Sequence, residues 1–273
     1  MKKFAVIGSP ISHSLSPQIH SLFAKQAQIE ISYEAIEIIQ SDFNSKVNQL
    51  FEDGYSGINV TLPLKEIAFH YADKKSEEAL LAESVNTLFL KGSSVCGETT
   101  DGQGLLLDLQ SKGIELKGSN VVILGAGGSA RAVIPSLLSS NLNSLSIANR
   151  TSKKAADIVN IHKQNNPEIN QIEMDESINF EIDLVVNSTS AGTLGEALVL
   201  PKGLFSTKTK SYDLSYSEEI TPFNLMAKKS GIKEVYDGLG MLIHQAALSF
   251  EIWNKFKPST EGIEQKNKTL IKN

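Results

Sequence analysis

Residues 121–131 read VVILGAGGSAR. The apolar run VVIL has the length and β-branching of a buried strand, and the residues after the glycines open a helix expected over 129–139. Glycines let a backbone approach a pyrophosphate, and a helix N-terminus points amides at the anion. A lone GxG is a weak sign, and a tight strand–helix turn without a ligand is the plain alternative. Here a second strand, SLSIANR at 144–150, follows about 20 residues on, as in dinucleotide-binding units. Its end reads Asn149-Arg150-Thr151-Ser152-Lys153-Lys154. NAD readers carry an acid there for the ribose hydroxyl, whereas NADP readers place Arg nearby. This end has no acid, one guanidinium, two ammoniums and two hydroxyls, so NADP is the expected cofactor. A solvated helix start would explain Lys153 and Lys154 but not the missing carboxylate.

Outward from this turn, short apolar runs alternate with amphipathic stretches of helix length, which indicates α/β with mostly parallel sheets. Before the turn, strands are expected at 3–8, 31–38, 57–63 and 85–90, the last pairing with 94–98 across Gly92-Ser93. Helices are expected at 16–27, with Ser16 as N-cap and Pro17 at its first position, at 41–53 after Ser41, and near 64–71, 76–83 and 102–112. Beyond it, helices are expected at 152–163, 222–230 and 239–255, and strands at 183–189, 211–216 and 234–238. The expected architecture is an N-terminal α/β domain with a mixed sheet over 1–101, completed by a C-terminal helix at about 239–257. A Rossmann-type doubly wound domain covers 102–238, with a cleft between the two and hinges near 100–103 and 236–240. The polar tail, 258–273, reads as disordered.

Length fits two domains, since the chain has 273 residues. A net charge of −5 argues against a nucleic-acid footprint. No apolar run approaches the ~18 residues of a membrane span, and the run from Phe4 stops at Gly8, too short for a signal peptide. One cysteine, Cys96, allows no internal disulfide and reads as a plain strand thiol. A cytoplasmic protein without nucleic-acid or membrane partners is expected; monomer and homodimer are both open. His20, His70 and His162 sit on expected helices with no second ligand at metal spacing, all five histidines read as non-metal, and no metal is expected.

Polar clusters outside the glycine unit point to chemistry. Ser12-His13-Ser14-Leu15-Ser16 follows the first strand, its hydroxyls near a helix N-terminus suited to a carboxylate; the plain reading is that Ser16 only caps the helix. In Asn59-Val60-Thr61-Leu62-Pro63-Leu64-Lys65, alternation puts Asn59 and Thr61 on one side, with Lys65 a turn onward. Asn86 and Thr100-Asp101-Gly102 follow. A Lys and an Asp near an interdomain cleft could relay a proton to a carbonyl oxygen, although each alone is more often a surface charge.

The motifs GSPISHSLSP, NVTLPLK, VNT, TDGQG, GAGGSARA, NRT, YDLSY, TPF and DGLGMLIHQAA, in this order and spacing from residue 4 to about 255, resemble those of the shikimate dehydrogenase family. The resemblance implies reversible, NADPH-dependent reduction of 3-dehydroshikimate to shikimate, a step of aromatic amino-acid biosynthesis. It implies that Ser14 and Ser16 hold the substrate carboxylate. Asn59, Thr61, Asn86 and Asp101 would contact ring hydroxyls, joined by Tyr216 and Gln245. Lys65 would be the acid/base, paired with Asp101. Gly125, Ala126, Gly127, Gly128 and Ser129 would form the pyrophosphate loop. Residues Asn149, Arg150, Thr151, Ser152, Lys153 and Lys154 would hold the adenosine end, and Leu214 and Gly238 would lie by the nicotinamide. Glu77 is implied near the cofactor without a local reason. The chain departs from the family pattern at Thr99, where Asn is usual, and after YDLSY, where Glu218 or Glu219 stands in place of a common Pro. Rival readings are a quinate/shikimate dehydrogenase of broader substrate and cofactor use, and a non-catalytic sensor of NADP or shikimate. Retention of both Lys65 and Asp101 argues against the sensor.

Overall fold

In the computed structural model, which describes residues 1–189 and 200–264, the run Phe4–Ile7 forms the heart of strand β1 (Lys2–Gly8). All four residues, alternating between the two faces of the sheet, are buried, and β2 (Ile31–Glu37) and β3 (Tyr55–Val60) flank the strand in parallel on its two edges. A strand so placed reads as a continuous apolar run, not an alternating one. Helix α1 (Ser16–Ala27) joins β1 to β2 and buries Ile19 and Phe23, one turn apart on one face. Helix α2 (Phe43–Glu52) joins β2 to β3 and buries Phe43, Val47 and Leu50 at helical spacing. Then come α3 (Lys65–Tyr71), β4 (Lys74–Lys75), α4 (Glu77–Ala82) and an antiparallel hairpin, β5 (Thr87–Lys91) with β6 (Ser94–Glu98). The hairpin turns at Gly92, whose φ of +65° favours a residue without Cβ. The sheet order is β2-β1-β3-β5-β6-β4, parallel on one side and antiparallel where β5 meets β3 and β6. This is the mixed sheet expected.

Helix α5 (Asp101–Ser111) leads to β7 (Asn120–Leu124), α6 (Gly128–Leu138), β8 (Ser144–Ala148), α7 (Ser152–His162), β9 (Ile169–Ile172), β10 (Leu184–Asn187), β11 (Lys210–Asp213), α8 (Pro222–Lys229) and β12 (Val235–Tyr236). The sheet order is β12-β11-β10-β7-β8-β9, every pairing parallel. Counted from β7 as one, that is 3-2-1-4-5-6, the order of the dinucleotide-binding fold. Helix α9 (Leu239–Asn254) follows. The compact units are Met1–Asp108 with the described residues from Met241, and Leu109–Gly240; α5 begins at Asp101 and the division falls within it. Among the described residues no helix is long and apolar enough to cross a membrane.

In the first unit, the Trp253 indole of α9 lies so flat on Gly57 of β3 that a Cβ there would run into it. Phe4 stacks on the same indole at 4.9 Å. His20 of α1 lies in this cluster, stacked on Tyr33 at 4.3 Å and 5.6 Å from Trp253.

Several local expectations are corrected. Ser16 does not cap α1: Leu15 is the N-cap and makes no side-chain cap bond, while the Ser14 hydroxyl accepts from the Ser16 amide at 3.3 Å. Ser41 does not cap α2 either, because Gln40–Asp42 wind into a 3-10 turn and Asp42 becomes the N-cap. The tail is ordered from 258 to 264. Gln26 exchanges two hydrogen bonds with the backbone of Ser259, at 2.8 and 2.9 Å, and Ile263 is buried. Residues 265–273 lie outside the described residues. Strands β4 and β9 have no counterpart in the sequence pattern: β4 is two lysines, and β9 is a short edge strand with apolar residues only at its ends.

Candidate active site and dinucleotide site

In the first unit, α3 opens with Lys65 and α5 opens with Asp101. The Lys65 Nζ stands 2.8 Å from Asp101 Oδ2, with only 10% and 6% of the two side chains exposed. Asn86, just before β5, holds the other carboxylate oxygen through Nδ2 at 3.0 Å. Its own backbone is locked on both sides, N–H to Glu98 and C=O from Val60. The amide orientation follows from its neighbours. Nδ2 faces a carboxylate, which only accepts, and Oδ1 faces the Thr100 N–H at 3.0 Å, which only donates. Nδ2 also lies within reach of Thr100 Oγ1 (2.8 Å) and Gln245 Oε1 (3.2 Å), three acceptors for two hydrogens. The expected residues Lys65, Asn86, Asp101 and Gln245 therefore form one buried cluster.

Asn59 adjoins it, with its amide wholly engaged inside the unit. Oδ1 accepts from the Tyr33 hydroxyl at 2.7 Å, and Nδ2 faces Asn86 O, Thr87 Oγ1 and Ser249 Oγ at 3.1–3.2 Å. Tyr33, Thr87 and Ser249 carried no sequence signal. Burial pushes the Tyr33 phenol well above its usual range, with a hydrogen bond from Ser16 pulling the other way. Burial likewise pushes His20 down to about 3; nearby Asn59 pulls weakly upward, but neither ring nitrogen has a well-aligned partner. Ser14 and Thr61 are half-exposed. Thr61 approaches Gly8 so closely that a Cβ there would stand 2.5 Å from its methyl group. Glu77 is exposed in the first turn of α4, where an acid complements the helix dipole. Thr99 Oγ1 is buried without a partner.

In the second unit, Gly125 directly follows β7 with φ +106° and its N–H donates to Ala148 O at 2.8 Å. A Cβ there would lie 2.5 Å from Ser188 Oγ, so both conformation and space require glycine. Ala126 is buried. Gly127 is the N-cap of α6 without a side-chain cap bond, and a Cβ on it would meet nothing within 4 Å. Gly128 and Ser129 begin the helix. Open room before a helix start, at the strand where the sheet order reverses, fits a pyrophosphate. At the start of α7, Arg150, Thr151, Lys153 and Lys154 are exposed and Asn149 Nδ2 bonds Thr151 O at 2.9 Å, a cationic end that fits a 2′-phosphate. Ser152 instead donates to Glu173 Oε1 at 2.7 Å, an acid from beyond β9 that sequence reasoning missed. Gly238 packs against the Leu214 carbonyl with no room for a Cβ, and its N–H bonds Ser215 O at 3.0 Å. Asp213 braces that loop by accepting from Ser215 N–H and Asn187 Nδ2. Its carboxyl is pushed up mainly by burial and is held back by these bonds and Thr221. Tyr216 is half-buried in this unit, whereas Gln245 belongs to the other.

Family models match residues 6–88 as the shikimate dehydrogenase substrate binding domain, 108–203 as shikimate / quinate 5-dehydrogenase, and 238–266 as the shikimate 5′-dehydrogenase C-terminal domain. A Psychromonas ingrahamii protein named shikimate dehydrogenase (NADP(+)) is 44% identical over 265 residues, 96% of each chain. The chain belongs to the shikimate dehydrogenase family. A family member of the same name from Vibrio campbellii is 40% identical, covering 96% of this chain and 94% of that one. The family's crystal structure from Thermus thermophilus, in complex with NADP(H) and shikimate, matches with a TM-score of 0.85 at 34% identity. It covers 97% of this chain and 98% of that one.

Proposed function

We propose that the protein is a shikimate dehydrogenase that reduces 3-dehydroshikimate reversibly to shikimate with NADPH. The observation that carries this reading is the buried Lys65–Asp101 pair, held by Asn86 in a unit that matches the family's substrate-binding domain. The nicotinamide, when bound, supplies or takes the hydride. Reduction builds negative charge on the carbonyl oxygen; the Lys65 ammonium stabilises that charge and gives up a proton to it, and takes it back in reverse. Asp101 holds Lys65 in one geometry. Ser14 and Ser16 take the substrate carboxylate, and Thr61, Asn86, Asp101, Tyr216 and Gln245 its hydroxyls. Asn59, its amide engaged within the unit, acts as a support for Asn86. Gly125 to Ser129 hold the pyrophosphate and Asn149 to Lys154 the adenosine end. Leu214 and Gly238 flank the nicotinamide, and Glu77 stays an assignment from resemblance alone. The cytoplasm is the compartment we propose, in keeping with the buried, free thiol of Cys96.

The test is NADP+ reduction by shikimate, followed spectrophotometrically with the purified full chain. Saturable turnover is expected; none at any pH from mildly acidic to alkaline refutes the reading. The model matching 108–203 also names quinate, so quinate with NAD+ or NADP+ runs in parallel. Comparable efficiency with quinate would move the assignment to the broader enzyme.

A further inference from the structure

At the adenosine end of the second unit, three side chains, from the start of α7, from β9 and from the residue just after β9, form a closed chain of hydrogen bonds. Gln171 on β9 directs Nε2 at Ser152 Oγ (2.8 Å), Ser152 O (3.3 Å) and Glu173 Oε1 (2.6 Å). A carbonyl and a carboxylate only accept, so the group facing them is the amide nitrogen. Ser152 Oγ thus accepts from Gln171, and its single hydrogen goes to Glu173 Oε1 at 2.7 Å. The Glu173 backbone N–H bonds Glu176 Oε2 at 3.3 Å, which ties the segment after β9 into a turn. The second strand of this fold ends without an acid, but the third delivers one to the same place.

We propose that Glu173 is a cofactor-specificity residue that limits the preference for NADP over NAD. Two effects combine. A phosphate oxygen cannot receive the Ser152 hydrogen while Glu173 holds it. The carboxylate also repels a 2′-phosphate but not a ribose hydroxyl, which can donate to it. Arg150, Lys153 and Lys154 pull toward the phosphate, and Glu173 sets how far that pull prevails. This inference rests on the proposed placing of the adenosine end at Asn149 to Lys154.

The test is calorimetric titration of the full-length wild type and Glu173→Gln with NADP+ and NAD+. Adenosine 2′-phosphate and adenosine 5′-phosphate are titrated as fragments that need no intact active site. Glu173→Gln keeps the shape and the acceptor oxygen but removes the charge. NADP+ and adenosine 2′-phosphate should bind roughly three- to tenfold tighter in the variant, the scale of one removed surface repulsion. NAD+ should change less than twofold or weaken, and the gain should shrink as salt is raised. Ser152→Ala in the Glu173→Gln background should remove part of the gain. Equal improvement for both cofactors, or none, overturns the inference while leaving the dehydrogenase reading intact. A wild type that binds neither NADP+ nor the 2′-phosphate fragment overturns both.

Discussion

His20 should make the first unit acid-sensitive. Its ring is 1% exposed among Phe23, Tyr33, Phe250 and Trp253. Burial lowers it from 6.5 to about 3, so the unfolded chain takes up the proton more readily than the folded one. The stability tied to the neutral ring is fully present above pH 6.5 and is lost as pH falls toward about 3. At pH 5, about three-hundredths of unfolded chains keep a neutral ring while nearly all folded ones do, a cost of about 2 kcal/mol. His20→Phe keeps a ring against Tyr33 and removes the titration. The assay is urea unfolding at pH 8 and pH 5 at constant salt, followed by the fluorescence of Trp253, the chain's single tryptophan, 5.6 Å from the ring. Carboxylates titrate alike in both proteins, and any packing change from Phe is the same at both pH values, so both cancel in the difference. Wild type should lose about 2 kcal/mol more than the variant between the two pH values. Parallel losses would show that the folded protein accommodates a charged His20, and the reasoning from burial would fail.

Lys65→Met should lower kcat by roughly 10²–10⁴-fold. It should also destabilise by about 3–5 kcal/mol, because it leaves Asp101 buried without its cation; adding Asp101→Asn should restore stability but not rate, and recovery of rate would refute the acid/base role. Arg150→Asp should weaken NADP+ binding by the loss of a charge-assisted contact of roughly 1.5–3 kcal/mol, measured by titration; unchanged NADP preference sinks that contact. Thr99→Val should change stability by less than about 1 kcal/mol and leave shikimate kinetics alone, since no bond is lost; a large fall in turnover would give the Thr99 hydroxyl a role of its own. Tyr33→Phe should raise KM for shikimate more than it lowers kcat, by leaving Asn59 Oδ1 without its donor; a fall in thermal stability with unchanged KM would reduce Tyr33 to a brace.

What was legible followed from what leaves a mark on spacing. The strand VVIL, its glycines and the basic end of β8 were readable because a tight turn, a close backbone approach and an anion each demand particular residues at fixed intervals. Lys65, Asn86 and Asp101 were readable as polar residues beside strand ends and as motif members. The supports were not. Tyr33, Thr87 and Ser249 are ordinary residues of a strand or helix, and only the β2-β1-β3 order, the pairing of β3 with β5 and the docking of α9 bring them, respectively, to Asn59. Ser16 looked like a cap because Ser before Pro usually is one; in the fold it is buried beside Tyr33, and Ser14 meets its amide. Glu173 escaped notice because the rule for cofactor choice inspects the end of the second strand, whereas side chains from the third reach the same corner.

The buried cluster is hard to explain as a stabilising device. Replacing a buried ion pair by apolar residues of similar volume is often neutral or favourable. The hydroxyls and amides around it add desolvation that only complete hydrogen bonding offsets. Here that bonding is nearly complete but oversubscribed: Asn86 Nδ2 has three acceptors for two hydrogens. Ser249 Oγ accepts from Asn59 Nδ2 and has one hydrogen of its own to place among Gln245 O, Thr87 Oγ1 and Thr100 Oγ1. A network with more acceptors than protons can hand one over to a ligand without stranding its members. Gln245 Oε1, at 3.2 Å the longest of the three Asn86 partners, is the acceptor most easily released. A substrate hydroxyl that donates to Gln245 would leave Asn86 bonded to Thr100 and Asp101, and Asp101 bonded to Lys65. On the proposed function, the surplus of acceptors would let the cluster take a substrate hydroxyl while keeping the lysine in place.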